Sequence, residues 1–122
     1  MHSLVSKILS MKTIAVVGLS PNPNRPSHFV SKYLLENGYK IFPVNPGQKE
    51  ILGLRCYPTL NDIQHEVDVV NVFRNSGYAI PIIKEAIAIK AKAIWLQDGI
   101  VSEEGKIIAK KKNILFIMDD CM

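Results

Sequence analysis

The 122-residue sequence predicts a doubly wound α/β domain, with a five-stranded parallel sheet and helices on both faces. Five short apolar stretches rich in β-branched residues recur along the chain at the length of strands. Helical patterns separate them, and the stretches are apolar at successive positions, as in strands buried on both faces. They are residues 13–18 (TIAVVG), 40–45 (KIFPVN), 67–73 (VDVVNVF), 92–97 (KAIWLQ) and 114–119 (ILFIMD).

The stretch SHFVSKYLLENG after the first strand predicts a helix. Its apolar residues at helical spacing are expected on one face that packs on the sheet. Gly38 follows, where a helix end favours a left-handed residue. The residues of this face are Phe29, Val30, Tyr33 and Leu34.

Two further helices follow the third and fourth strands. In SGYAIPIIKEAIAIK, Ile80, Ile83 and Ile87 form one stripe, and Pro81 is tolerated there only in a first turn. In SEEGKIIAKKK, Ser102 is the expected N-cap, with acidic residues at the start and lysines at the end, the order that the helix dipole favours.

Residues 1–11 predict a leading helix packed on the fold, because LVSKIL places its apolar residues at helical spacing. We therefore expect residues 1–122 to form one domain. At 48% hydrophobic and 21% charged residues the composition is that of a globular domain. A chain of this length buries about two thirds of its unfolded surface, so its core needs no disulfide.

Composition also excludes several classes of function. Cys56 and Cys121 form no CxxC pair and the three histidines are scattered, which predicts neither a disulfide framework nor a metal site and favours a cytoplasmic protein. No apolar run approaches the ~18 residues of a membrane span. Residues 110–112 (KKK) supply much of the net charge of +4 without interleaved aromatic residues, so we expect no nucleic-acid binding. The charge suits an anionic small molecule.

The ligand site is expected where strand order reverses, outside the carboxyl ends of the strands. Gly18 and Ser20 occupy the first two glycine positions of a dinucleotide fingerprint, but the second strand ends in PVNPG without the acid that holds a ribose. The missing acid argues against NAD binding, but a phosphate can still bind at this position. The helix after Ser27 should offer free N–H groups and its positive dipole end, and Arg25 adds a fork of donors.

Prolines are concentrated in the segments expected to line this crevice. Five of the seven are predicted in the first two strand-to-helix loops, where each fixes φ near −65° and lowers the entropy lost on ligand binding. The alternative is that they only end strands and begin helices. They are Pro21, Pro23, Pro26, Pro43 and Pro46.

Together the segments KTIAVVGLSPNPNRPSHFVSKYL, GYKIFPVNPGQKEILGLRCYPTL, VDVVNVFR and AKAIWLQDGI resemble the small stand-alone coenzyme A-binding proteins. The fold of that family is similar to the Rossmann-like CoA-binding domain of the succinyl-CoA synthetase α subunit. The resemblance covers residues 4–121. It implies that the CoA pyrophosphate lies after the first strand, the adenosine and its 3′-phosphate after the second, and the pantetheine along the third and fourth.

The resemblance implies contacts residue by residue. Those for the phosphates are Gly18, Ser20, Arg25, Pro26 and Ser27. Those on the adenosine side are Val44, Asn45 and Pro46, with Lys49 for the 3′-phosphate. Those along the pantetheine are Phe73, Arg74, Gln97 and Gly99.

The chain departs from the family at its end, where DDCM places Asp120 at a position that is commonly basic. The synthetase also keeps its phosphorylated histidine in another domain. The resemblance therefore implies a module that binds CoA or an acyl-CoA without catalysis, with the protein partner left open. Alternatives are an NAD(P)-linked redox enzyme, an acyl-CoA-handling transferase lacking its partner domain, and a regulatory protein that senses the CoA pool.

Four residues have a functional interpretation beside a structural one. Ser20 lacks a histidine at a strand end to activate it, so a phosphate contact is favoured over a nucleophile. His28 is a phosphate contact or an exposed helix residue, and Cys121 is a buried thiol or a partner of the CoA thiol. Asp98 is a general base or a solvated carboxylate.

Overall fold

The computed structural model describes the backbone of residues 2–120 and the side chains of residues 6–120. Cys121, with its two interpretations, lies outside the described residues. In chain order the strands are β1 (Thr13–Val17), β2 (Lys40–Val44), β3 (Glu50–Ile51), β4 (Leu54–Arg55), β5 (Val69–Val72), β6 (Ala93–Leu96) and β7 (Leu115–Ile117). The helices are α1 (His2–Leu9), α2 (Pro26–Glu36), α3 (Ala79–Ala88) and α4 (Glu103–Lys111).

Five of these strands form one parallel sheet in the order β2-β1-β5-β6-β7, as the sequence predicts. The chain leaves β1, forms β2 on one side of it, and then crosses β1 to form β5 on the other. Strand order thus reverses between β1 and β5, where Val17 is paired with Val72. This places the expected ligand crevice at the carboxyl ends of these two strands.

The sheet is buried on both faces, because adjacent residues of each strand point to opposite sides. Ile14 and Val16 of β1 belong to a core cluster with residues of α1 and α2. Ala15 and Val17 belong to the other cluster, with residues of α3 and α4. The two helix pairs therefore cover opposite faces, and α2 and α3 begin on either side of the crevice.

The buried face of α2 differs from the predicted one. Phe29 and Tyr33 are 52% and 64% exposed, and the buried residues are Ser27, Ser31 and Leu34. Phe29 is two positions beyond Ser27, about 200° around the helix, so the two cannot share a face. The small serines let the helix lie close to the sheet, and the prediction that large apolar residues would fill this contact was wrong for Phe29 and Tyr33.

The two later helices follow their predicted signals more closely. Ser102 is the N-cap of α4, and its Oγ accepts the Gly105 N–H at 3.0 Å. Pro81 lies in the first turn of α3. The buried stripe of α3 includes Ile83 but otherwise consists of Ala79, Ile82 and Ala86, while Ile80 and Ile87 are only partly buried.

Two local features between β2 and β5 were not predicted. Residues 50–55 form an antiparallel hairpin whose turn has positive φ at Leu52 and Gly53. The second feature is the position of Pro43, which lies inside β2 and not in the following loop. Because β2 is an edge strand, a proline is tolerated there. The Pro43 carbonyl accepts the Tyr57 N–H at 2.9 Å. In the part of the chain described, no helix has the length and apolar character to cross a membrane.

Candidate functional site

The site begins at Gly18, which follows β1 at the point of strand reversal. Its φ of +86° lies in the left-handed region, and its N–H donates to the Val44 carbonyl at 2.9 Å. A Cβ at this position would lie 2.9 Å from Arg74 Cδ and 3.1 Å from the Phe73 carbonyl oxygen. Glycine therefore lets the carboxyl ends of β1, β2 and β5 meet.

Two serine hydroxyls hold the loop after Gly18. Ser27 Oγ accepts the Ser20 N–H at 2.9 Å, and Ser20 Oγ accepts the Asn22 N–H at 3.1 Å. A hydroxyl that accepts in this way still has its own proton to donate. The loop is thus closed by side-chain oxygens whose O–H groups remain donors for a ligand.

The same loop is fixed from its outer side by His28. Its Nδ1 lies 2.9 Å from the Ser20 carbonyl oxygen, and because a carbonyl can only accept, Nδ1 carries the proton. Asn22 continues the closure, since its Oδ1 accepts the Asn24 N–H at 3.0 Å and its carbonyl accepts the Arg25 N–H at 3.1 Å. Most donors of the loop are therefore used within it, unlike those of a glycine-rich phosphate loop.

The amino end of α2 offers fewer free N–H groups than predicted. Pro26 has none, and the N–H groups of His28 and Phe29 both donate to the Arg25 carbonyl, at 3.0 and 3.2 Å. In this fully described turn, only the Ser27 N–H is left without a backbone acceptor. Arg25 is the N-cap and makes no side-chain capping bond, so its exposed guanidinium is the main cation of this end.

A cavity of about 480 Å³ lies between the amino end of α2 and the end of β6. The predicted contacts that line it are Gly18, Ser20, Arg25, Pro26, Ser27, Phe73 and Gln97. Three further lining residues were not predicted as ligand contacts, namely Phe29, Asp98 and Ile100. Phe29 follows Arg25 by one helical turn, and this spacing was the signal that could have found it.

The charges of this cavity are asymmetric. Arg25 lines it on the α2 side, and Asp98 lines it on the β6 side. Phe73 and Ile100 supply part of its apolar surface. Gln97 is buried at the β6 end, where its amide donates to Asn71 Oδ1 of β5.

A second, more apolar depression of about 210 Å³ lies on the α3 side of Gly18. It contains the predicted residues Val44, Pro46 and Arg74 beside Gly18 itself. The Arg74 guanidinium stands 4.2 Å above the Tyr78 ring, and Tyr78 also lines the depression. Its other walls are unpredicted residues of the 58–60 segment and of α3: Pro58, Thr59, Leu60, Pro81, Ile82 and Glu85.

Asn45 lines neither depression and acts as a clamp between two loops. Its Nδ2 donates to the Leu19 carbonyl at 3.0 Å, and its Oδ1 accepts the Gly47 N–H at 2.9 Å. The first bond fixes the loop after β2 to the loop after β1, and the second holds the Asn45 side chain within its own loop. The structure thus gives this predicted contact a scaffolding position.

Lys49 lies beyond this clamp, in a shallow depression with Pro46 and Arg55. Arg55 also packs over the Tyr57 ring at 4.9 Å and adds a cation that the sequence analysis did not single out. Cys56 lines the same depression, and burial raises the pKa of its thiol. This thiol is therefore held in its neutral form, which is a poor nucleophile.

Gly99, like Asn45 and Lys49, is a predicted contact that lines neither of the two depressions, although its neighbours Asp98 and Ile100 line the larger one. Its φ is +85° and its N–H donates to the Asp119 carboxylate at 2.7 Å. Asp119 thus adds a second carboxylate to the loop at the end of β6.

The two histidines whose side chains are described, His28 and His65, do not complete a catalytic group at this site. The His65 ring stacks on Phe42 at 5.4 Å, away from the cavity, and His28 contacts the Ser20 carbonyl and not its hydroxyl. Among the described side chains, those of residues 6–120, there is no group of three or more His, Cys, Asp or Glu arranged to hold a metal ion. The arrangement supplies cationic and hydroxyl donors, which suit an anionic ligand.

Comparison with known proteins identifies close relatives. The chain is 43% identical over 111 residues to the uncharacterized protein YneT of Bacillus subtilis, covering 91% of this chain and 82% of that one. It is 33% identical over 97 residues to acetate–CoA ligase (ADP-forming) II of Archaeoglobus fulgidus; this match covers 78% of the chain but only 14% of the ligase. A hypothetical protein from Pyrococcus horikoshii has the same fold, with a TM-score of 0.94, 35% identity, and coverage of 99% and 85% of the two chains.

The family comparison agrees with these relatives. Residues 12–122 match a family described as the CoA binding domain, which includes all of the strands and the whole of the crevice. The chain therefore belongs to the CoA binding domain family, and its fold is the Rossmann-like α/β fold predicted from the sequence.

Proposed function

We propose that this protein is a cytoplasmic, non-catalytic binding or regulatory module, which holds coenzyme A or an acyl-CoA at the carboxyl edge of its sheet. One observation carries the proposal. Arg25, Ser20 and Ser27 line, together with Gly18, a cavity of about 480 Å³ at the point where strand order reverses. This is where an open α/β sheet binds its ligands.

The donor chemistry of this end fits the pyrophosphate of CoA. The guanidinium of Arg25 matches phosphate oxygens, and the hydroxyls of Ser20 and Ser27 accept from the loop while keeping their protons to donate. Since the loop is closed by its own hydrogen bonds, little ordering entropy is lost when a phosphate binds.

The other groups of CoA have candidate positions on both sides of Gly18. The apolar depression beside Val44 and Pro46 suits an adenine ring, and Lys49 with Arg55 lies next to Pro46, where they would hold the 3′-phosphate. On the other side, the larger cavity continues past Phe73 to Gln97, which suits the pantetheine arm.

The relatives support CoA as the ligand. The Archaeoglobus enzyme and a ligase of Methanocaldococcus jannaschii are both named as acetate–CoA ligases, and the latter matches 91% of this chain. Because this chain spans 14% and 17% of those enzymes, we extend to it only the binding of CoA and not the ligation reaction.

The test is a thermal-shift titration with CoA, 3′-dephospho-CoA, NAD and ATP in parallel. Ligand at about 100 times its Kd stabilises the native state by roughly 2.7 kcal/mol. We expect CoA to raise the melting temperature most and 3′-dephospho-CoA to bind more weakly. Equal affinity for CoA and 3′-dephospho-CoA would show that Lys49 and Arg55 do not bind the 3′-phosphate. Stabilisation by NAD alone would overturn the proposal in favour of a redox enzyme.

A further inference from the structure

The larger cavity offers a ligand two chemically different ends. Arg25 lies on its α2 side and Asp98 on its β6 side, with Phe29, Phe73 and Ile100 as the apolar part of the lining. A ligand that spans the cavity therefore meets a cation at one end and a carboxylate at the other.

This polarity fixes the direction of a bound CoA, an argument that rests on the proposed function. Phosphate groups belong beside Arg25, because opposite charges attract and Asp98 would repel them. The pantetheine then runs over Phe73 towards the end of β6, and its sulfur reaches the neighbourhood of Asp98. An acyl group on that sulfur would meet the same surroundings.

The charge of that end discriminates between acyl groups. Asp98 is exposed and lines the cavity. Asp119 is held at the same loop, because its carboxylate accepts the Gly99 N–H at 2.7 Å. This negative charge disfavours an acyl group that itself ends in a carboxylate.

We propose that this end of the cavity selects CoA thioesters with a neutral acyl group over thioesters whose acyl group ends in a carboxylate. Asp98 is the residue that determines this specificity. The preferred ligand class is thus monocarboxylic acyl-CoA, with succinyl-type thioesters bound more weakly because of their charge.

The experiment compares butyryl-CoA with succinyl-CoA by isothermal titration calorimetry, because the two acyl chains have four carbons each and differ by a terminal carboxylate. The wild-type protein should bind butyryl-CoA about three- to tenfold more tightly, the effect of one like charge at about 6 Å in a mostly aqueous dielectric. In Asp98→Asn this ratio should fall towards one. In the control Glu36→Gln, which removes an exposed carboxylate at the far end of α2, it should not change.

Equal binding of both thioesters by the wild-type protein, or an unchanged ratio in Asp98→Asn, would overturn the inference while CoA binding stands. Failure of CoA and of both thioesters to bind would overturn the proposed function itself.

Discussion

The side chain of Arg74 lies so close to the backbone of Gly18 that a Cβ atom on Gly18 would sit 2.9 Å from Arg74 Cδ. The same Cβ would lie 3.1 Å from the Phe73 carbonyl oxygen, which is backbone and cannot turn away. Arg74 is itself positioned by Tyr78, since its guanidinium stands 4.2 Å above that ring. The carboxyl ends of β1 and β5 are therefore in contact across the crevice.

We predict that Gly18→Ala destabilises the protein more than Gly38→Ala does. Both glycines have φ near +90°, but nothing lies within 4 Å of a Cβ on Gly38. Gly38→Ala therefore measures only the cost of an alanine in the left-handed conformation, about 1–2 kcal/mol. Gly18→Ala adds to this an overpacking cost of about 1–3 kcal/mol. Urea unfolding of both variants measures the difference. Equal losses in the free energy of unfolding would contradict the prediction, because they would show that Arg74 and Phe73 move aside without cost.

Arg25 is the residue whose replacement should reduce CoA affinity most directly. Arg25→Ala removes a charged hydrogen-bond donor, so binding should weaken by roughly 1.5–3 kcal/mol. Arg25→Lys keeps the charge but loses the planar fork, and should recover only part of the affinity. Calorimetric titration measures both. The control is Lys32→Ala, which removes an exposed cation of α2 that does not line the cavity. An equal loss of CoA affinity in the control would mean that net charge, and not a contact from Arg25, determines binding.

The parallel sheet and its helices could be predicted because their signals are local. Each strand of the parallel sheet lies inside its predicted stretch, and the Ser102 cap was recognisable from its own side chain and the acidic residues after it. The position of the crevice then follows from topology, since carboxyl ends of parallel strands share one edge. None of these inferences required knowledge of side-chain packing.

The details that escaped prediction depend on contacts between distant residues. The buried residues of α2 include the small serines Ser27 and Ser31 beside Leu34, because the helix lies close to the sheet, and periodicity of apolar residues cannot show this. Phe29 of α2 and Asp98 of the loop after β6 come from distant parts of the chain and both line the cavity. The hydrogen bonds that occupy the loop donors, such as Ser20 N–H to Ser27 Oγ at 2.9 Å, likewise appear only once the loop is folded.

The two buried serines of α2 should respond in opposite directions to replacement by alanine. Ser31 is fully buried, and its hydroxyl has no hydrogen-bond partner among residues 2–120. Ser31→Ala should therefore raise the free energy of unfolding by about 1 kcal/mol, because an unsatisfied hydroxyl is removed from the core. Ser27→Ala, one turn earlier, should lower it by about 1–3 kcal/mol, because the Ser20 N–H loses its acceptor. Chemical denaturation measures both, and a shift of the same sign in both variants would contradict this.

Asp68 ties the amino ends of three strands together at the edge opposite the crevice. Its carboxylate accepts the N–H groups of Lys12 and Thr13 at 3.1 and 3.3 Å, and the Lys92 ammonium lies 3.2 Å away. Burial opposes the charged form, but these hydrogen bonds and the ammonium outweigh it and hold the pKa of Asp68 below its ordinary value. The folded state therefore favours the ionised carboxylate more than the unfolded chain does.

The pH dependence of stability should reveal this linkage. A carboxylate whose pKa is lowered on folding contributes stability that is fully present above the unfolded pKa of about 3.9 and is lost as the pH falls through the folded value. Asp68→Asn should therefore be less stable than the wild type at pH 7, and the gap should narrow below about pH 4 as the wild-type carboxylate is protonated. Urea unfolding at a series of pH values measures the gap for each variant. A gap of constant size from pH 7 to about pH 2.5 would mean that Asp68 acts only through its shape and not through its charge.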